Sequence, residues 1–299
     1  MRSESSQAEC AIAQAAAVVG EWWTLLILRD VATGIHRFDE MQAELAISRK
    51  VLSERLAALV ADGVLEKRLY QEHPPRHEYH LTPSGEALIP VLIALQDWGS
   101  RYVLGDGTVT ATSGHRSKEA QRVRGLVGAR VPPLTLAGAR GRSRDPIGDG
   151  AWTVVFCYPG AYAASGAYPA GWSEIPGATG CTLEATTFRN RIDEFTALGA
   201  EVVGVSTQRP EDQAAFAAKA HLPYPLLSDQ ELRLAAALRL PTFRAGGRDH
   251  LKRLTLIVDA GRTIRHVLYP VAEPAASVER AISLLAGARP TRTQTAGRS

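Results

Sequence analysis

The residues with the clearest chemical potential are 176–185, which read PGATGCTLEA. Cys181 follows a glycine-rich turn and stands where the chain enters a helix. Unpaired N–H groups at a helix start favour the thiolate, and the thiolate is the nucleophilic form of cysteine. Attack on a peroxide asks for little more: a cation and hydrogen-bond donors that polarise the O–O bond as charge develops. Glu184 is placed to reach back and cap the same helix start. The other two cysteines read differently. Cys157 sits inside the buried run 152–158 and reads as packing, while Cys10, ahead of the first helix, reads as either a small buried hydrophobe or a reactive thiol. Three scattered cysteines make neither a disulfide framework nor a zinc site. His221, His250 and His266 have no metal-ligand spacing and read as surface or loop residues. The sequence calls for no metal and no cofactor.

A second chemistry lies in residues 47–79. Ile47, Val51, Leu52, Leu56, Leu59 and Val60 fall on one face of a helix, with Ser48, Arg49, Lys50, Ser53 and Glu54 bunched at its start on the other face. Ser48 can cap that helix by accepting a backbone N–H of the first turn. Asp62-Gly63 stops it. Residues 64–70 and 76–81 read as two strands around a tip with Pro74 and Pro75. A helix followed by a charged hairpin is a winged helix. Short polar and cationic side chains at a helix start can read base edges in the major groove, and the wing can lie along the phosphates, with Arg76 as their partner. The plainer reading is a surface helix with a solvated face.

The elements that must position these residues follow from periodicity. Residues 10–19 form an alanine-rich helix ended by Gly20. Residues 21–31 are apolar nearly all round and form a core helix. Residues 38–45 are a third helix and 47–61 the fourth. Thr82-Pro83 opens a last helix reaching 104 through Leu88, Val91, Leu92, Leu95, Trp98 and Tyr102. That stripe is longer than a small domain needs and predicts a helix shared between two subunits, hence a homodimer on a two-fold DNA site. Residues 105–127 are polar and aperiodic and read as a linker.

Beyond it, 131–136 is a strand candidate and 152–158 and 202–206 are buried strands. Helices are expected over 188–197, 211–220, 231–238 and 277–285, with a hairpin from 254–259 and 264–269. This alternation describes an α/β thioredoxin-like fold. The insertion 161–171 reads as a surface loop or lid, and 288–299 as a disordered tail.

Composition agrees with two soluble domains in 299 residues, at 45% hydrophobic and 22% charged. No apolar run reaches membrane-spanning length and the N-terminus has no signal-peptide core, so a cytoplasmic location is expected, with no membrane partner. The net charge of +3 is unevenly placed: residues 1–104 hold 10 Lys/Arg against 14 Asp/Glu. A DNA-binding domain with that balance must concentrate its cations locally, as Arg49, Lys50, Arg55, Lys67, Arg68 and Arg76 do.

Two resemblances sharpen this reading. Residues 10–104 resemble the HxlR-type regulators, relatives of the MarR group, through Cys10, Gly20-Glu21-Trp22-Trp23-Thr24-Leu25-Leu26, Arg37-Phe38-Asp39-Glu40-Met41, Leu52-Ser53-Glu54-Arg55-Leu56, Asp62-Gly63 and Thr82-Pro83. The resemblance implies a dimeric transcription factor spanning 8–104, with Cys10 as a sensing thiol; Ala11 stands where proline is usual. Residues 128–287 resemble the peroxiredoxins (AhpC/TSA), most closely the peroxiredoxin Q type. The matching residues are Val154-Val155-Phe156-Cys157-Tyr158-Pro159, Gly180-Cys181-Thr182-Leu183-Glu184-Ala185, Gly204-Val205-Ser206 and Arg253-Leu254-Thr255-Leu256. This implies peroxide reduction through a sulfenic acid on Cys181, with Arg253 steering thiolate and peroxide.

Three departures accompany the second resemblance. Ala178 replaces the usual threonine or serine, and Thr179 follows one residue later as the available hydroxyl. The chain between Pro159 and Cys181 is long. Thr186 stands where a resolving cysteine is usual, so a sulfenic acid must turn to Cys10, Cys157, another subunit or a small thiol.

The expectation is a redox-responsive DNA-binding regulator that senses through Cys181 or Cys10, whose partners are double-stranded DNA, a second copy, peroxide and a thiol reductant such as thioredoxin or a small thiol. The alternative is a thiol peroxidase whose winged helix only dimerises it or holds it on DNA. A third reading keeps both domains but makes the second a ligand-binding module without chemistry.

Overall fold

The computed structural model describes residues 9–162, 166 and 168–288. The chain divides into two compact units: residues up to Gln96 with Glu231–Arg239, and Asp97–Gln230 with Leu240 onward.

The first unit contains helices α1 (Ala11–Val19), α2 (Trp22–Ala32), α3 (Phe38–Leu45) and α4 (Arg49–Ala61), then strands β1 (Leu65–Gln71) and β2 (Arg76–Leu81). The short α5 (Pro83–Glu86) and α6 (Ile89–Trp98) follow, the unit ending at Gln96 within α6; a π-helical turn spans Gly99–Val103 beyond it. Ile27, Leu28, Val31, Met41, Ile47, Leu52, Leu56 and Leu59 form one core. The apolar face expected of α4 is the one that enters it. Ser48 caps α4 as anticipated, its hydroxyl accepting from Val51 N at 3.3 Å. β1 and β2 pair antiparallel from Leu65–Leu81 to Gln71–Arg76. Thr82 ties the base of this wing by donating to the carbonyl of Gly63 at 2.6 Å. No single helix among the described residues is long and apolar enough to cross a membrane.

The second unit is built on a seven-stranded sheet. Its strands are β3 (Leu136–Gly138), β4 (Ser143–Arg144), β5 (Trp152–Cys157), β6 (Ala200–Ser206), β7 (Leu226–Ser228), β10 (Leu254–Asp259) and β11 (Ile264–Leu268), in the order β11-β10-β5-β6-β7-β3-β4. β5, β6 and β7 are parallel, and β10 runs antiparallel to β5. All six residues of β5 are buried, because the strand is central and both its faces are covered. Residues alternate across it. Trp152, Val154, Phe156 and Tyr158 join the core that contains Cys181, Phe188, Phe195, Phe216 and Tyr224. Thr153, Val155 and Cys157 point to the opposite face.

Helices α8 (Cys181–Asn190), α9 (Ile192–Ala197), α10 (Pro210–Lys219) and α12 (Pro274–Gly287) complete the α/β thioredoxin-like arrangement expected from the strand–helix alternation, while α11 (Arg233–Ala237) is counted with the first unit. A second hairpin, β8 (Thr242–Ala245) with β9 (Arg248–Leu251), was not expected. It turns on Gly246-Gly247, both at positive φ. Its strands hold too few apolar residues for period two to reveal them.

Three expectations are corrected. Residues 105–127 are not a linker. They contain helix α7 (Lys118–Arg124), and Ala111, Ala120 and Val123 are fully buried. Ala111 N donates to Pro176 O at 2.8 Å, and Ala111 O accepts from Arg253 N at 3.3 Å. The segment is polar because it lies on the domain surface, and a few small apolar side chains suffice to dock it. The strand placed over 131–136 begins only at Leu136, since 131–132 are held through Arg262 instead. The single helix expected over 188–197 is broken at Arg191. The expected tail lies, from 289 on, outside the described residues, as do 163–165 and 167 of the insertion.

Candidate functional site

Cys181 is the first residue of α8. Gly180 precedes it at φ +96, and a Cβ there would come within 2.8 Å of the Pro274 ring, so only glycine fits this entry. Cys181 is 4% exposed. Nη2 of Arg253 lies 3.2 Å from Cys181 Sγ and also donates to the carbonyl of Thr179 at 2.8 Å. Arg253 stands just before β10, itself 1% exposed. Its Nη1 makes a short ion pair with Glu184, which is fully buried and also accepts from Ser277 Oγ of α12 at 3.4 Å. Lys252, next to Arg253, points into a separate buried cluster, bonding both oxygens of Glu119 at 3.1 Å. Tyr269 donates a short hydrogen bond to the same carboxylate.

The charges at Cys181 oppose its burial. Burial pushes the thiol above its ordinary value, while Arg253 and the N–H of Gly160 pull the other way without offsetting it. Glu184 adds to the effect of burial. The thiol donates to the carbonyl of Ala178 at 3.5 Å. Burial likewise raises Glu184, to about 7, even with Arg253 against it.

The sequence-predicted residues fall into place unevenly. Cys181 and Arg253 are brought together. Thr179 contributes its carbonyl, and its exposed hydroxyl makes no hydrogen bond to Sγ among the described residues. Glu184 does not cap the helix; it holds Arg253. Cys157 is buried on the other face of the sheet, its thiol pushed far up by burial. Cys10 is exposed at the start of α1. His250 is not a surface residue: it is 2% exposed, between the carbonyls of Pro159 (3.1 Å) and Ala245 (3.2 Å), with burial holding it below the usual histidine range. Gln208, which sequence reasoning missed, clamps Ala161 by accepting its N–H at 2.7 Å and donating to its carbonyl at 3.4 Å. No local pattern marks it, because its partner is 47 residues away.

Described residues of 160–161, 168–173 and 178–182 line a cleft of about 490 Å³ that includes Cys181. Trp172, 3% exposed, anchors the wall, edge-on to Tyr162 at 5.2 Å and to His250 at 5.0 Å.

In the first unit, Lys50, Ser53 and Arg76 are exposed, and Ser48 and Arg49 share that exposed helix start. Arg49 is held by Asp39 at 3.2 Å and lies over the Phe38 ring. Arg55 departs from the expectation: it turns toward Glu21, at 3.8 Å, and its Nε is buried without a partner. Six residues beyond Arg49, its position rotates away from the exposed start of α4.

Comparison with known proteins gives two matches. Residues 18–106 match the HxlR-like helix-turn-helix family and residues 168–267 the AhpC/TSA family. An uncharacterized HTH-type transcriptional regulator of Mycobacterium bovis is 41% identical over 92 residues, covering 31% of this chain and 58% of its own length, so this chain spans little more than half of it. The uncharacterized HTH-type transcriptional regulator YvaP of Bacillus subtilis is 37% identical over 87 residues, 29% of this chain and 81% of that one. Among solved structures, the peroxidoxin BcpB of Mycobacterium tuberculosis is 29% identical with a TM-score of 0.46, covering 55% of this chain and 97% of that chain. A peroxiredoxin Q of Xanthomonas campestris is 22% identical with a TM-score of 0.41, covering 52% and 90%.

Proposed function

Because the chain belongs to the HxlR-like helix-turn-helix family through residues 18–106 and carries an AhpC/TSA-family domain over 168–267, we propose that it is a redox-responsive DNA-binding transcriptional regulator whose second domain detects or reduces peroxide through Cys181. The observation that carries the reading is the placement of Cys181 Sγ 3.2 Å from Arg253 at a helix start, beneath a cleft, in the same chain as an exposed basic helix start. The thiolate sulfur attacks the distal peroxide oxygen. The S–O bond forms as the O–O bond breaks, the leaving oxygen takes a proton, and Cys181 is left as a sulfenic acid. Arg253 keeps the thiolate oriented and offers its positive charge to the oxygens as negative charge develops. Glu184 orients Arg253.

DNA binding is assigned to the start of α4 and to the wing. Ser48, Arg49, Lys50 and Ser53 read the major groove, and Arg76 meets the backbone. The protein acts as a homodimer through the exposed stripe of Val91, Leu95 and Trp98, which are 48%, 47% and 57% exposed. Oxidation at Cys181, or at the exposed Cys10, shifts the balance between a DNA-competent and an incompetent dimer. A tenfold change in operator affinity needs only about 1.4 kcal/mol between the two forms.

The test is operator binding by the full chain before and after one equivalent of hydroperoxide, with Cys181→Ser and Cys10→Ser alongside. Equal affinity in both states sinks the regulatory reading. The open cleft on Cys181 favours one second reading, a thiol peroxidase with an accessory winged helix. Multiple turnovers with a thiol reductant, together with DNA binding indifferent to oxidation, would select it.

A further inference from the structure

We propose that Gln208 and His250 are positioning residues for the chemistry of Cys181: they grip the two neighbours of Gly160, Ala161 and Pro159, so that the Gly160 N–H serves beside Arg253 as a second donor to Sγ. The inference rests on the peroxide-reactive role of Cys181 proposed above and names two further residues which that role needs.

The sulfur needs donors that its own loop does not supply. The neutral thiol donates to the Ala178 carbonyl at 3.5 Å, and that oxygen repels the anion once the proton has left. Ala178 has no hydroxyl, and the exposed hydroxyl of Thr179 makes no hydrogen bond to Sγ among the described residues. The groups that favour the anion are Arg253, with Nη2 at 3.2 Å, and the backbone N–H of Gly160. Arg253 is locked in place by Glu184 and by the carbonyl of Thr179. The Gly160 N–H lies on a segment that something else must hold.

The sheet does not hold it. Tyr158 N donates to Val205 O at 3.0 Å as the chain leaves β5, and Pro159 has no N–H with which to continue the ladder. Two buried side chains take over. His250, 2% exposed, places Nδ1 3.1 Å from the Pro159 carbonyl, which can only accept, so Nδ1 donates in this contact. That carbonyl and the Gly160 N–H belong to one planar peptide unit and point to opposite sides of it. The imidazole thus holds the far edge of the same plane whose near edge faces the sulfur. Gln208, 4% exposed, fixes the next peptide units, its Oε1 accepting from Ala161 N at 2.7 Å and its Nε2 donating to Ala161 O at 3.4 Å.

Both clamps are anchored in turn. Gln208 N donates to Ser206 Oγ at 3.3 Å, and Gln208 O accepts from Ser228 Oγ at 2.6 Å. The His250 ring stacks on Phe243 at 5.2 Å and meets Trp172 edge-on at 5.0 Å. At Gly160 itself a Cβ would come within 2.8 Å of the Tyr162 ring, so the turn closes only on glycine. A donor acts on developing charge only where it is aimed in advance, and a displacement of about 1 Å costs up to about a hundredfold in rate.

The test uses the full chain. Formation of the Cys181 thiolate is followed by its ultraviolet absorbance against pH, as the difference from Cys181→Ser. Oxidation of Cys181 by hydrogen peroxide is followed by mass spectrometry of the dimedone adduct of its sulfenic acid. Gln208→Leu and His250→Leu are each expected to form the thiolate at higher pH than the native chain and to be oxidised about tenfold more slowly at about pH 8. His250→Asn keeps an N–H near the place of Nδ1 and is expected to recover most of that loss. Gln208→Glu gives a second rescue. While its buried carboxyl is protonated, the O–H donates and the other oxygen accepts, as the amide does, so the rate at about pH 6 should match the native chain. As pH rises and the carboxyl ionises, the donor is lost, and the rate relative to the native chain should fall about tenfold. Should the leucine variants fail to fold, this pH-dependent loss in Gln208→Glu carries the test alone. Leucine variants that fold and form the thiolate at the native pH, or a Gln208→Glu rate in constant ratio to the native one across that range, overturn the inference and leave the peroxide reading intact. A native chain whose Cys181 yields no sulfenic acid overturns both.

Discussion

At Cys181 two physical effects oppose each other. Burial favours the neutral thiol, while Arg253 and the Gly160 N–H favour the thiolate, and burial prevails. The sign of the pH dependence follows. Only the thiolate attacks peroxide, so the rate of Cys181 oxidation should keep rising with pH through the alkaline range and should not level off near neutrality. Stopped-flow oxidation at fixed peroxide from pH 6 to 10 checks this, and a flat profile would refute it. Removing the cation should steepen the problem. Arg253→Met is expected to slow oxidation about a hundredfold, as loss of a charge-stabilising donor does. It should also destabilise the fold by about 3–5 kcal/mol, because Glu184 is left buried without its counter-ion. Arg253→Lys, which keeps the charge but loses the fork that spans Sγ, Thr179 and Glu184, should fall between the two in thermal stability and in rate.

Two elements carry predictions of their own. In α4 the cap and the contacts can be separated. Ser48→Ala removes the hydroxyl that accepts from Val51 N and should lower the stability of the first unit by about 1 kcal/mol in urea titrations. Lys50→Ala and Arg76→Ala should leave stability within about 0.5 kcal/mol, since both are exposed. Each should lower the slope of log affinity against log salt by about one. Arg55→Ala, by contrast, should change stability more than it changes the salt slope, because Arg55 faces Glu21 and not the exposed start of the helix. In α7, Glu119 joins Lys252 and Tyr269 at exposures of 12% and 8% for the ion pair. Glu119→Gln leaves Lys252 a buried charge without its carboxylate and should cost about 3 kcal/mol. The same substitution should open residues 105–127 to protease, whereas the native chain should resist cleavage there.

For the molecule as a whole, the proposed dimer rests on the exposed apolar residues Val91, Leu95 and Trp98 of α6. Leu95→Glu is expected to convert a dimer to a monomer in sedimentation equilibrium and to abolish high-affinity operator binding, while leaving oxidation of Cys181 unchanged. A variant that remains dimeric would place the interface elsewhere. Coupling between the two chemistries is a property of the full chain alone: a peroxide effect on operator affinity that survives Cys181→Ser but vanishes in Cys10→Ser would move the sensor to the first domain.

Much of this was legible in the sequence because it is local. The apolar stripe of α4, the Ser48 cap, the proline-tipped wing and the buried runs at β5 and β6 are set by residues within a turn or a strand of one another, and periodicity reports them directly. The glycine before Cys181 and the helix after it are local in the same sense. What the sequence could not determine rests on contacts between distant residues. Whether 105–127 is tether or domain depends on three small buried side chains and on Glu119 meeting Lys252 far along the chain. Whether Arg253 is a surface cation or the partner of a thiol, and whether Glu184 caps a helix or holds that arginine, depends on β10 being laid beside β5 and α12 beside α8. The state of Cys181 itself was decided last, since a helix start alone favours the thiolate, and only the depth of burial that tertiary packing imposes reverses the balance.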